Sequence, residues 1–122
     1  MNNEKRIKQI EMENKIWIIY LIIIGLSYYA NYYEKNYFET NNTESKNKYR
    51  KINTLIFTIL LIIYSYFEIE SIKSINNNNK TKRQKEYDLL SFIATSLVLI
   101  SGIIFLYIII VDENLEEEVA FN

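Results

Sequence analysis

Three stretches of this chain, residues 16–33, 52–67 and 89–111, contain no Asp, Glu, Lys or Arg, although 14 basic and 15 acidic residues crowd the segments around them. The tracts are 18, 16 and 23 residues long. As helices rising ~1.5 Å per residue they would extend roughly 27, 24 and 35 Å, against a bilayer hydrocarbon core of ~30 Å. A soluble bundle of the same length would need a charged face on every helix, repeating at the 3.6-residue period. No such face exists in the third tract, where sixteen Leu, Ile, Val and Phe residues fill every direction around a helix. At about −0.3 to −0.6 kcal/mol each near mid-bilayer, they favour insertion by several kcal/mol. The mean hydropathy of the whole chain is close to zero only because apolar and charged tracts cancel.

The expected fold is therefore an all-α membrane protein, three transmembrane helices in an up-down-up bundle with short polar loops. At 122 residues the chain is one integral membrane domain. Its parts read as an N-terminus over 1–15, span 1 over 16–33, a loop over 34–51, span 2 over 52–69, a loop over 70–88, span 3 over 89–111 and an acidic tail over 112–122. Span 2 is the short one. It needs Glu68 and Lys51 to reach toward the headgroups, or its helix to run on through Ile69, Ile72 and Ile75. Ile7 and Ile10 could likewise extend the first helix. Trp17 and the Tyr28, Tyr29, Tyr32 and Tyr33 group suit the two interfaces of span 1, and Tyr49, Tyr64, Tyr66, Phe67 and Tyr87 bracket the others. The basic segment Lys5, Arg6, Lys8 and Lys15, interrupted by Glu11 and Glu13, suits an uncleaved signal-anchor better than a cleaved signal peptide.

Topology follows from the cations. Lys5, Arg6, Lys8, Lys15, Lys73, Lys80, Lys82, Arg83 and Lys85 would share one face, and Lys35, Lys46, Lys48, Arg50 and Lys51 the other. By the positive-inside rule the N-terminus and the 70–88 loop are expected in the cytoplasm, and the 34–51 loop and the tail outside a plasma membrane. The basic patch of Lys80, Lys82, Arg83 and Lys85 reads as that topology signal, with attraction to anionic lipid as the alternative.

The spans carry polar stripes. Thr54, Thr58, Leu61, Ser65 and Glu68 fall on one helix face, as do Ser91, Thr95, Val98 and Gly102, and Tyr20, Ile24, Ser27 and Asn31. Small and hydroxyl residues let membrane helices approach and hydrogen-bond, so spans 2 and 3 are expected to pack antiparallel with Ser65 near Ser91 or Thr95. A conduction path would need an ionisable residue at mid-depth, and Glu68 and Lys51 read as edge residues. The absence of Pro and the presence of only Gly25 and Gly102 leave no sign of the broken helices of transporters.

Chemistry is sparse. With no Cys and no His, disulfides, thiol nucleophiles, Cys/His metal sites and His-dependent triads are excluded. No P-loop, GxGxxG, GxSxG or HExxH motif is present. The tail carboxylates Asp112, Glu113, Glu116, Glu117 and Glu118 lack the spacing and glycine of a calcium loop. No catalytic, cofactor-binding or metal-binding residue is expected, and the formal charge of −1 excludes a globally basic nucleic-acid binder. The 23 Ile and 15 Asn suit AT-rich codons, and the run Asn76–Asn79 reads as a polar turn.

The stretch Ser45-Lys46-Asn47-Lys48-Tyr49-Arg50-Lys51-Ile52, the segment Ser101-Gly102-Ile103-Ile104-Phe105-Leu106-Tyr107 and the ending from Asp112-Glu113-Asn114-Leu115 through Ala120-Phe121-Asn122 resemble a group of small, uncharacterised three-span membrane proteins of AT-rich Gram-positive bacteria. The resemblance covers most of the chain and implies a bacterial plasma membrane; it supplies no activity or functional residues. The expectation is a non-enzymatic accessory protein that works by helix contacts, with lipid as its surroundings. A second copy or a larger membrane partner would meet Thr54, Thr58, Ser65, Ser91, Thr95 and Gly102. The alternatives are a bacteriocin-immunity-like or phage-type membrane protein and, less favoured because of the acidic ending, a holin-like pore.

Overall fold

The computed structural model describes residues 3–77, 79–113 and 115. They form three helices, α1 (Asn3–Thr40), α2 (Thr43–Ile75) and α3 (Lys82–Val111). Each is long and apolar enough to cross a membrane. All three outrun the uncharged tracts. α2 runs on through Ile69, Ile72 and Ile75, and most of 34–51, expected as loop, is helical: 34–40 closes α1 and 43–51 opens α2. The backbone has a simple reason to continue, since no Pro interrupts it and (i, i+4) pairs such as Lys35–Glu39 and Lys48–Glu44 support the charged turns.

Two asparagines make the turn between α1 and α2. Asn41 takes the left-handed φ of 56° that a short amide side chain tolerates, and its N–H donates to the Tyr37 carbonyl at 2.7 Å, closing α1. Asn42 then caps α2, its Oδ1 accepting from the Glu44 N–H at 2.9 Å. The start of α3 is a capping box. Thr81 Oγ1 accepts from the Gln84 N–H at 3.2 Å, and Gln84 Oε1 accepts from the Thr81 N–H at 3.0 Å.

The chain divides into two compact units, one of residues up to Ile56 and one from Phe57 onward, α2 contributing to both. In the first, Tyr33 lies under the Lys48 ammonium at 5.2 Å, Asn36 Nδ2 donates to Ser45 Oγ at 2.6 Å and Tyr37 lies under Lys46 at 5.6 Å. In the second, Phe57 meets Phe105 with ring centroids 5.9 Å apart, and Ser74 Oγ reaches Asp88 Oδ1 at 3.3 Å.

Apart from Gly102 on α3, the buried positions lie off the polar stripes. α1 buries Ile16, Ile23 and Ala30, whereas Ile24 and Asn31 of its stripe are exposed. Along α2 the buried set includes Tyr49, Asn53, Ile56, Phe57, Ile63 and Ser71, while Thr58 is exposed; in α3 Ser91 and Val98 are exposed. Two of the stripe hydroxyls are satisfied within their own helix. Ser27 Oγ donates to the Ile23 carbonyl at 2.9 Å and Thr54 Oγ1 to the Arg50 carbonyl at 2.8 Å, so neither needs a second helix.

Candidate functional site

On α3, Asp88, Thr95, Gly102 and Ile109 recur every seven residues, the spacing of a left-handed helix seam. Asp88 and Thr95 are half-buried, and Gly102 and Ile109 are buried. Opposite them on α2 stand Ser74, Ser71, Glu68, Tyr64, Leu61 and Phe57. The seam is apolar at one end and polar at the other. At its apolar end Gly102 lets α2 come close: a Cβ there would sit 2.9 Å from Leu61 Cδ2 and 3.2 Å from Tyr64 Cδ2. Gly25 has nothing within 4 Å of that position among the described residues.

The centre of the polar end is Glu68. Thr95 Oγ1 donates to its Oε2 at 2.7 Å and Ser96 Oγ to its Oε1 at 2.7 Å. Thr95 Oγ1 also lies 3.3 Å from the buried Ser71 Oγ and 3.1 Å from the Phe92 carbonyl. Both carboxylate oxygens therefore have donors, and these come from the third uncharged tract. Thr95 is six residues beyond Leu89, about 9 Å along the helix from the edge of that tract. Glu68 thus reaches sideways to α3 rather than outward as an edge residue. The expected pairing of Ser65 with Ser91 or Thr95 gives way to one in which Thr95 meets Glu68 and Ser71.

The last turn of α2 ends in a second cluster. Lys80 Nζ donates to Asp88 Oδ2 and, at 2.8 Å, to Ser74 Oγ. The Lys80 and Asp88 side chains are only 13% and 18% exposed, so Lys80 is turned inward and does not belong to the open basic patch in which its sequence neighbours place it. Lys73 pairs with Glu70 at 3.6 Å.

Two polar residues that pattern reading passed over carry part of this picture. Asp88 had no visible role because its partner precedes it across a turn. Asn53 is fully buried, and neither its amide oxygen nor its amide nitrogen has a hydrogen-bond partner among the described residues. The signal that could have found it is an amide inside an uncharged tract, where a polar group must face protein. The hydroxyls singled out from sequence divide three ways. Thr95 and Gly102 lie in the α2–α3 seam, Thr54 bonds its own helix, and Thr58 and Ser65 line a shallow groove on α2 with Leu61, Ile62, Tyr66 and Ile69. Ser91 is exposed on α3. Among the described residues no group of three or more Asp or Glu gathers to hold a metal ion. Glu116, Glu117 and Glu118 of the acidic tail lie outside the described residues.

No family model, curated protein or solved structure matches the chain. The class of the protein rests on its own features: all-helical, with three helices able to cross a membrane.

Proposed function

We propose that this is a multi-pass plasma-membrane protein without enzymatic activity, a small accessory chain that works by helix contacts within the bilayer. Its helices run up, down and up, with the N-terminus in the cytoplasm and the acidic tail outside. The observation that carries the reading is the exposure of large apolar side chains all along α3. Leu90, Leu97, Ile104 and Ile110 are each more than half exposed, a surface that water would penalise at about 25 cal/mol per Å² and that lipid accepts. The contact face offered to a second copy or a larger membrane protein is the α2 groove lined by Thr58, Ser65 and Tyr66. Membrane helices associate through such small and hydroxyl-bearing faces. Purification tests the reading. The chain should need detergent or lipid to stay monodisperse, and crosslinking in membranes should trap a dimer or a larger complex. Monodisperse behaviour in plain buffer would refute the membrane assignment, and a strictly monomeric chain with no co-purifying protein would refute the accessory role.

A further inference from the structure

With Lys80 paired to Asp88, three cations of the α3 entrance remain: Lys82, Arg83 and Lys85, all exposed and without an ion-pair partner among the described residues. Arg83 heads a row on one helix face with Tyr87, Leu90, Ala94 and Leu97, spaced i, i+4, i+7, i+11 and i+14. Every member is exposed, Tyr87 by 60%, Leu90 by 63% and Leu97 by 60%. The row therefore runs from cation to amphipathic ring to aliphatic surface, the order of polarity along a phospholipid. Its length also fits. Fourteen residues separate Arg83 from Leu97, about 21 Å of helix, and one leaflet with its headgroups is half of ~40–45 Å.

We propose that this row binds an anionic phospholipid, its phosphate between Lys82 and Arg83 and an acyl chain along Tyr87, Leu90 and Leu97. Side chains hold the anion; the Thr81–Gln84 capping box takes up the N–H groups of those two residues alone. Lys82 and Arg83 supply the charge; Lys85, on the far side of the turn, adds only its longer-range field. Glu86 stands one turn further along between the two cations and opposes the anion. The site rests on the membrane reading above, and the lipid measurement separates the two: a chain that stays monodisperse without detergent sinks both, whereas one that needs detergent yet binds all lipids alike sinks only this site.

The test is native mass spectrometry of the full chain in a non-ionic detergent, with equal phosphatidylglycerol and phosphatidylcholine added. Wild type should retain phosphatidylglycerol over phosphatidylcholine. Lys82→Gln and Arg83→Gln should each cut that preference about fivefold, while Lys5→Gln leaves it unchanged. Glu86→Gln should raise it, an effect that a merely misfolded variant could not produce. Tyr87→Ala and Leu90→Ala should weaken retention of both lipids. Equal retention of the two lipids by wild type, loss of preference in Lys5→Gln, or displacement of the lipid by millimolar glycerol phosphate would overturn the proposal, the last because it would make the site one for a soluble anion.

Discussion

Thr95 on α3 donates its hydroxyl to the Glu68 carboxylate on α2 at 2.7 Å, a bond that ties an ionisable side chain into the uncharged part of a neighbouring helix. Because Ser96 holds the other oxygen, the two donors share one acceptor group and their effects are coupled. Thr95→Val should destabilise the α2–α3 pair by about 1 to 2 kcal/mol. In the background of Glu68→Leu the same substitution should cost less, because no carboxylate is left without its donor. A double-mutant cycle on unfolding in detergent micelles measures the difference; additive effects would show that the bond contributes nothing.

The two glycines should answer alanine differently. At Gly102 the new methyl meets Leu61 and Tyr64, and overpacking of this kind costs about 1 to 3 kcal/mol. The low end applies, since Leu61 Cδ2 is the tip of a flexible side chain. Gly25→Ala meets nothing and should stabilise α1 by up to about 1 kcal/mol through helix propensity. Thermal unfolding of the two variants in one detergent gives the comparison, and equal shifts would contradict the close approach at Gly102.

For the Lys80–Asp88 pair, removing one partner should hurt more than removing both. Lys80→Met leaves the Asp88 carboxylate without its cation in a largely covered site, a loss of about 1 to 3 kcal/mol after allowing for residual solvent. Lys80→Met combined with Asp88→Leu should recover much of it. A double variant as unstable as the single one would argue that Ser74 and the turn, rather than the charges, set the stability of this end.

Asn53 invites a stabilising substitution. Its amide is covered and unpartnered, and an unmet buried polar group costs about 1 to 3 kcal/mol. Asn53→Val, nearer the amide in volume than Leu, should raise the unfolding midpoint. A lowered midpoint would mean that the amide is satisfied in the membrane by a bound water or another chain.

Because the chain has no cysteine, orientation can be read with single reporters. Cysteines replacing Lys48 and Lys82, both exposed, should react with a membrane-impermeant maleimide on opposite sides, Lys48→Cys in intact cells and Lys82→Cys only after lysis. The reverse pattern would invert the topology, and labelling of both from one side would rule out an odd number of crossings between them.

How much of this was legible in the sequence follows from which forces are local. Charge segregation alone fixed the number and nature of the helices, because exclusion of ionised groups over a helix-length tract is a property of consecutive residues and needs no knowledge of neighbours. The helical run through Ile75 was one of the two readings that the short middle tract allowed. The tertiary structure decided which faces were used. A helical stripe of hydroxyls looks the same whether each bonds its own i−4 carbonyl, as Ser27 and Thr54 do, or a carboxylate on another helix, as Thr95 does. Lys80 looked like one cation in a basic run until its turn placed it against Asp88, and Glu68 looked like the end of a span until α3 supplied its donors. Those choices depend on distances between residues far apart in the chain, and no pattern of nearest neighbours encodes them.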